Sequence, residues 1–363
     1  MATGSPHSPE AAAVAAARTI ALQMLEERGR GAPFILLQCI SGLCRSARPM
    51  PFLIASAGAF CLALVLAGCG APRKIAPDPA ADRAFKVVTT FLPITLFTRA
   101  VAGDCATVTS LIPPSLDPHD FQAKPGDLTA LGQARVLVKN GLELEGFLEK
   151  LVVSAGNPRL EVIDSSRGVA TLATDHQDGS HAEAHGHDHG AVNPHIWLDP
   201  LRAVQQVETI RDGLVKADPG CAEGYRRNAT AYIAQLRQLH SELAAQLKPY
   251  RGQTFVAFHD VAPYFAQRYG LKAEFLVDVP AVNPSPADLR RVAAQVRRSQ
   301  LRALLSEPQQ GSRSFNALAR DLGVRVSVFD PLETATEEAA RDPATYGRVM
   351  RGNAAGLRQA FGG

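Results

Sequence analysis

The chain has 363 residues, 46% of them apolar and 20% charged, and a formal net charge of +3. This leaves room for two ordinary domains and is the make-up of a globular protein, not a fibrous or disordered one. Five arginines against three glutamates in residues 1–68 supply +2 of that charge, so the rest is near neutral. No basic face for nucleic acid is implied, and no preference for acidic substrates.

In chain order a leader comes first. Arg45 and Arg48 precede an uncharged run, Phe52 to Ala67, closing on "LAGC", Leu66 to Cys69. A basic segment, an apolar stretch and small residues before a cut make a secretory signal. The run is shorter than the roughly 20 residues that span a bilayer. "LAGC" resembles the bacterial lipobox, which implies that Cys69 carries lipid and tethers the protein to a membrane face without spanning it. Residues 1–49 are long for the basic segment of a signal, and we expect translation to begin shortly before Arg45. Residues 1–68 are thus leader, and 69–83, rich in Pro, Ala and charge, a flexible tether.

Four β–α steps follow, in residues 84–218. Strands are expected at 85–91, 106–113, 135–141 and 160–166, with helices at 94–103, 125–134, 144–156 and 200–217. A segment at 172–192, without apolar period, interrupts them and should lie at the surface. The stretch 225–248 contains no Gly or Pro. Its residues Tyr225, Ala229, Tyr232, Leu236, Leu239, Leu243 and Leu247 repeat at three and four, giving one long amphipathic helix within a linking segment, 219–249. The β–α rhythm then resumes over 250–363. Strands are expected at 253–260, 271–279, 301–309 and 324–332, and helices at 261–270, 285–300, 312–323 and 346–361. Ser285 and Pro286 mark a helix start. The expected fold is α/β: two similar lobes, each with a mainly parallel sheet of about four strands, joined by one rigid helix.

Of six cysteines, Cys39, Cys44 and Cys61 fall in the leader, and only Cys105 and Cys221 lie beyond Cys69. One disulfide is possible in an oxidising compartment, but no spacing brings these two together, and they are read as free thiols. The absence of CxxC removes a zinc-ribbon reading.

Ten histidines are present, and they divide into two kinds. His119 in "LDPHDFQ", His195 in "NPHIWLDP" and His259 in "AFHD" sit near strand ends, as does Asp330 in "VFDPL". In open α/β sheets, ligands bind beyond the carboxyl ends of strands. Taken alone, each is a turn or cap residue; together, three imidazoles and a carboxylate match a tetrahedral zinc shell facing one cleft between the lobes. His176, His181, His185, His187 and His189 instead belong to the acidic segment "DHQDGSHAEAHGHDH". Alternating spacing lets two or three of them meet one ion, and Asp175, Asp178, Glu183 and Asp188 attract cations. Ordering such a loop costs entropy, so this auxiliary site should be the weaker one; the plain alternative is a solvated insertion. Trp197 is expected in the core beside His195. Glu307 in "SEPQ" is either a support for a ligand or a turn residue. His240 should face solvent, and His7 lies in the leader.

From Phe85 to Phe361 the residues resemble the metal-specific solute-binding proteins of bacterial ABC importers, in particular the periplasmic zinc-binding proteins. The resemblance rests on "VVTTFLPI", "DPHDFQAKPGDLTALGQARVLVKNGLELEGFLEKL", "NPHIWLDP", "FHDVAPYFAQRYGL", "LLSEPQ" and "VFDPL", in that order. It implies two lobes on a long helix with the metal between them, and His119, His195, His259 and Asp330 as ligands. Water or another carboxylate would be the other occupants of the fourth position. Manganese-carrying relatives usually place glutamate where this chain has His259, and imidazole suits zinc better than manganese. The implied function is capture of Zn²⁺ outside the cytoplasmic membrane, at the periplasmic or envelope face, by a monomer that delivers it to an ABC permease and its ATPase. A manganese- or iron-binding member of the same family is the nearest alternative. A zinc hydrolase would use the same ligands with an open position, but the chain has no HExxH and no evident general base. Nothing specific supports a surface adhesin.

Overall fold

A computed structural model describes residues 85–174, 192–277, 284–308 and 312–362. Cys69, the leader, and the loop histidines His176, His181, His185, His187 and His189 lie outside the described residues.

The first sheet contains β1 (Lys86–Thr89), β2 (Thr107–Ser110), β3 (Val136–Lys139) and β4 (Glu161–Asp164), all parallel, in the order β2-β1-β3-β4. The second contains β5 (Thr254–His259), β6 (Lys272–Val277), β7 (Ala303–Ser306) and β8 (Arg325–Val328), again parallel, in the order β6-β5-β7-β8. Parallel neighbours need crossover connections. The first lobe supplies α1 (Leu92–Ala102), α2 (Pro125–Gln133), α3 (Leu148–Ala155) and α4 (Pro200–Ala217). After α5 (Ala222–Leu247), the second supplies α6 (Pro263–Tyr269), α7 (Pro286–Ser299), α8 (Ser312–Leu322) and α9 (Thr345–Phe361).

Successive strand residues point to opposite faces, and the central strands of each sheet, β1 and β3 in the first and β5 and β7 in the second, are buried on both faces, as parallel sheets require. In the first lobe Val87, Val136 and Val138 face a core shared with α1, α4 and α5, while Val88 and Leu137 face a smaller cluster under α2 and α3. The second lobe repeats this. Phe255, Ala257 and Leu305 join the shared core, and Val256, Phe258 and Leu304 pack under α7 and α8. Helix starts follow the expected chemistry. At α7, Ser285 Oγ accepts from Asp288 N (3.2 Å) and Asp288 Oδ2 accepts from Ser285 N (2.9 Å), a reciprocal cap.

The shared core runs unbroken from one lobe to the other, and α5 is its spine. This 26-residue helix, about 39 Å long, buries Tyr225, Ala229, Tyr232, Leu236, Leu239, Leu243 and Leu247 along one face. Two sequence expectations fail here. His240 is half-buried, not solvent-facing: its ring stacks on Tyr269 with centroids 5.8 Å apart, and burial pulls its pKa below the ordinary 6.5. Cys105 and Cys221 are not free thiols but a disulfide, with Cα atoms 6.0 Å apart. Cys105 ends the turn after α1, and Cys221 is the residue before α5. Chain folding therefore joins them across 116 residues, a proximity that local spacing does not carry. Gly224, in the first turn of α5, leaves the room: a Cβ there would stand 2.7 Å from Cys105 Sγ.

Candidate metal centre

His119, His195, His259 and Glu333 converge, each offering one donor atom, with all four atoms within 4.8 Å of one another. Glu333 Oε1 lies 3.3 Å from His119 Nε2, 3.5 Å from His195 Nε2 and 3.9 Å from His259 Nε2. A zinc ion at about 2.0–2.1 Å from four tetrahedral donors separates them by about 3.4 Å. The cluster is therefore spaced as a tetrahedral shell and needs only small adjustments to close on an ion.

Each ligand candidate is held by its own local structure. His259 is the last residue of β5, and Glu307 follows β7, the strand beside it. These two strands flank the point where strand order reverses, where open α/β sheets form their crevice. Glu307 Oε1 accepts from His259 N (3.2 Å) and lies 2.6 Å from Nδ1. When Nδ1 carries the proton, Nε2 presents its lone pair to the centre. That Nε2 is buried without a hydrogen-bond partner, as a metal-directed nitrogen would be.

His195 opens the 3₁₀ turn before α4 and is fully buried. Asn193 Oδ1 accepts from its backbone N and pairs with its Nδ1, both at 3.0 Å. Asn193 is itself oriented, because its Nδ2 donates to Asp260 O (2.8 Å) and Oδ2 (3.0 Å). An amide oxygen only accepts, so Nδ1 is the protonated nitrogen and Nε2 again faces inward. His119 sits in a short 3₁₀ turn, Pro118–Asp120, capped by Asp117, whose Oδ1 accepts from His119 N at 2.9 Å.

Asp330 is not in the cluster. Its Oδ1 accepts from Leu332 N (2.7 Å), a side-chain turn of the kind short carboxylates form. Its backbone is fixed on both sides by Asn353, which accepts from Asp330 N (2.7 Å) and donates to Asp330 O (2.8 Å). Leu332, a buried residue, has φ of +62°, a conformation uncommon outside glycine. The turn that Asp330 shapes thus swings the chain so that Glu333, three residues on, enters the cleft. The expected carboxylate is displaced by one turn, and the overlooked signal was the glutamate closing "DPLE". Trp197 secures this turn from the other lobe: its Nε1 donates to Pro331 O at 2.8 Å, and its ring lies 5.1 Å from that of His195.

Burial sets the electrostatics. It lowers His195 and His259 from 6.5 to about 4, against the opposing pull of Glu333. Burial also acts to lower His119, but Glu333 outweighs it through hydrogen bond and charge, and His119 ends above its ordinary value. Glu333 is held well below the carboxylate range: burial alone would raise it, and the three histidines reverse that. Burial pushes Glu307 well above 4.5, with Glu333 adding to the rise. At neutral pH the cluster thus holds one carboxylate and two neutral imidazoles, His195 and His259, in the form in which imidazoles bind metal.

Two α/β lobes on one spine, with donors from both meeting in a closed cleft, define a metal-binding protein of the solute-binding class. The chain belongs to the ZnuA family, zinc-uptake complex component A, periplasmic, whose pattern matches residues 87–360. It is 30% identical over 299 residues to zinc-binding lipoprotein AdcA of Streptococcus pneumoniae, covering 82% of this chain but only 58% of that protein's length. It is also 30% identical over 306 residues to the high-affinity zinc uptake system protein ZnuA of Bacillus subtilis, covering 82% of this chain and 94% of the other. Among solved structures, a crystal structure of ZnuA superposes with a TM-score of 0.66 at 28% identity, covering 76% of this chain and 99% of the other. The Zn(II)-bound ZnuA-like domain of Streptococcus pneumoniae AdcA gives 0.64 at 30% identity, covering 76% and 98%.

Proposed function

We propose that this protein captures one Zn²⁺ between its lobes through His119, His195, His259 and Glu333 and delivers it to an ABC-type permease and its ATPase. It acts as a monomer outside the cytoplasmic membrane, tethered through a lipid on Cys69. The observation that carries the reading is the convergence of three imidazole nitrogens and one carboxylate oxygen within 4.8 Å. A donor set of three nitrogens to one oxygen favours zinc over manganese. Capture and release exchange ligands and make no covalent bonds. The loop histidines, with their acidic neighbours, serve as an auxiliary collector for the buried site.

The test is a competition. Metal-stripped protein is offered equimolar Zn²⁺ and Mn²⁺ against a chelator, and occupancy of the buried site is followed by Trp197 emission. Zinc should win, and His259→Ala and Glu333→Ala should each lose the response. Asp330→Asn keeps the oxygen that accepts from Leu332 N, so it should bind like the parent. Preference for manganese would refute the zinc reading. Loss of zinc in Asp330→Asn with retention in Glu333→Ala would return the fourth ligand to Asp330.

A further inference from the structure

A cavity of about 330 Å³ lies away from the four donors, between the two lobes. Thr95, Arg99, Ser110 and Pro114 line it from the first lobe, and Glu337 and Arg341 from the second. A backbone hydrogen bond from Ala335 N to Pro114 O, 2.7 Å, ties the two walls together. The site therefore opens where the segment leading to His119 meets the segment leaving Glu333.

Its charge is unbalanced. Two guanidinium groups share the cavity with one carboxylate, and neither Arg99 nor Arg341 forms an ion pair among the described residues. Arg99 is half-buried in the last turns of α1. One of its terminal nitrogens donates to Val108 O at 3.2 Å, but its Nε is buried without a hydrogen-bond partner. Burial, then the neighbouring charge of Arg341, pulls the Arg99 pKa below its ordinary value, with Glu337 opposing. A cation would be repelled here, and a neutral apolar molecule would leave both arginines unsatisfied. The planar guanidinium fork matches carboxylate and phosphate oxygens in pairs. The volume is at the low end of the roughly 300–1,000 Å³ typical of small-molecule sites, which selects a small ligand.

We propose that this interlobe cavity binds a small oxyanion, a phosphate or a short dicarboxylate, held between Arg99 and Arg341. The anion replaces Glu337 as the counter-charge and bridges the lobes. The inference rests on residues outside the metal cluster and is independent of the identity of the metal.

The experiment is isothermal titration of the metal-free full chain with inorganic phosphate and, separately, with succinate at constant ionic strength. One saturable site is expected for at least one of them; phosphate alone identifies a tetrahedral ligand, succinate alone a carboxylate. Arg341 and Glu337 are exposed, so their replacement leaves the fold intact. Arg341→Gln should weaken binding about tenfold or more, as loss of a charge-assisted pair does, and Glu337→Gln should tighten it. Arg290→Gln removes the same charge from an exposed position on α7 and should bind like the parent. Absence of saturable binding of both anions would overturn the proposal, and so would equal weakening by Arg341→Gln and Arg290→Gln.

Discussion

Glu307 touches no metal donor atom of its own, yet the geometry makes it decisive for His259. Its Oε1 serves both the backbone N (3.2 Å) and the ring Nδ1 (2.6 Å) of that histidine. Glu307→Leu strands both groups in a buried site. Each orphaned group costs about 1–3 kcal/mol, so the metal-free protein should lose about 2–6 kcal/mol of stability. Glu307→Gln keeps an accepting oxygen of the same reach. Burial already pushes the Glu307 carboxyl well above its ordinary pKa, so an uncharged amide should disturb the metal-free fold little. Zinc affinity behaves differently, because an ionised partner raises the basicity of the imidazole when the cation binds. Loss of such a partner typically weakens metal binding about 10–100-fold, or about 1.4–2.7 kcal/mol. Glu307→Gln should fall at the lower end and Glu307→Leu at the upper. Urea unfolding of the metal-free variants and chelator-competed zinc titration through Trp197 emission read the two effects separately. If Glu307→Leu held zinc within roughly twofold of the parent, well short of the usual loss, orientation of His259 by this carboxylate would be refuted.

The Cys105–Cys221 bridge closes a loop of 116 residues, worth about 5 kcal/mol by loop-closure entropy. Cys105→Ser with Cys221→Ser should therefore lower the denaturant midpoint clearly, and equal midpoints for oxidised parent and variant would show that the bridge contributes nothing. For pH, His195 and His259 have folded pKa values near 4 against 6.5 ordinarily. The unfolded chain then binds more protons between those values, so stability present above pH 6.5 is lost as pH falls towards about 4. His119, raised, contributes in the opposite sense, and so do the buried carboxyls of Asp117 and Asp330, lifted to about 6. The difference in unfolding midpoint between the metal-free parent and His259→Gln should therefore fall from about pH 7 to about pH 5, and a constant difference over that interval would contradict the burial of this imidazole.

The features visible in sequence were those set by short-range pattern. Strands such as "VLVK" and "ALLS" are apolar without interruption because both faces of a parallel sheet are covered, and the long run from Tyr225 to Leu247 displays its buried face directly. His195 and His259 stood out because strand ends and the turns after them are where α/β sheets place ligands. Glu333 did not, because its position depends on a backbone event. A leucine at φ +62°, held by the Asp330 side chain, offsets the clustered carboxylate by three residues from the strand-end aspartate that the pattern highlights. Asp330 builds the turn, and the next carboxylate uses it. The disulfide was hidden for a related reason: its halves meet only after α1 and α5 have packed. His240 reads as polar on a helix, but the ring of Tyr269 from α6 covers it.

The way the lobes are tied narrows how an ion enters and leaves. Asp199, just past His195, is buried and gripped from the second lobe by Arg268, through Nε to Oδ1 (2.7 Å) and Nη2 to Oδ2 (2.6 Å). Arg202 holds the same carboxylate at 2.6 Å and reaches Gln267 of the second lobe at 2.9 Å. Tyr264 OH donates to Asn193 O (2.6 Å), Trp197 to Pro331, and Tyr346 OH to Trp197 O (2.7 Å). Swinging the lobes apart would break these buried bonds together and split the core around α5. The turn bearing His119 is held by its own Asp117 cap, by Phe121 packed on Phe147 (centroids 4.8 Å) and by the His119 contact to Glu333, and residues 122–126 after it are exposed. His119 is also the one imidazole of the three that retains access to solvent, 6% of its side chain against none for His195 and His259. For an ion held by these four donors as proposed, the least costly path would be local: the His119 turn would move out while His195, His259 and Glu333 stay in place on a rigid frame.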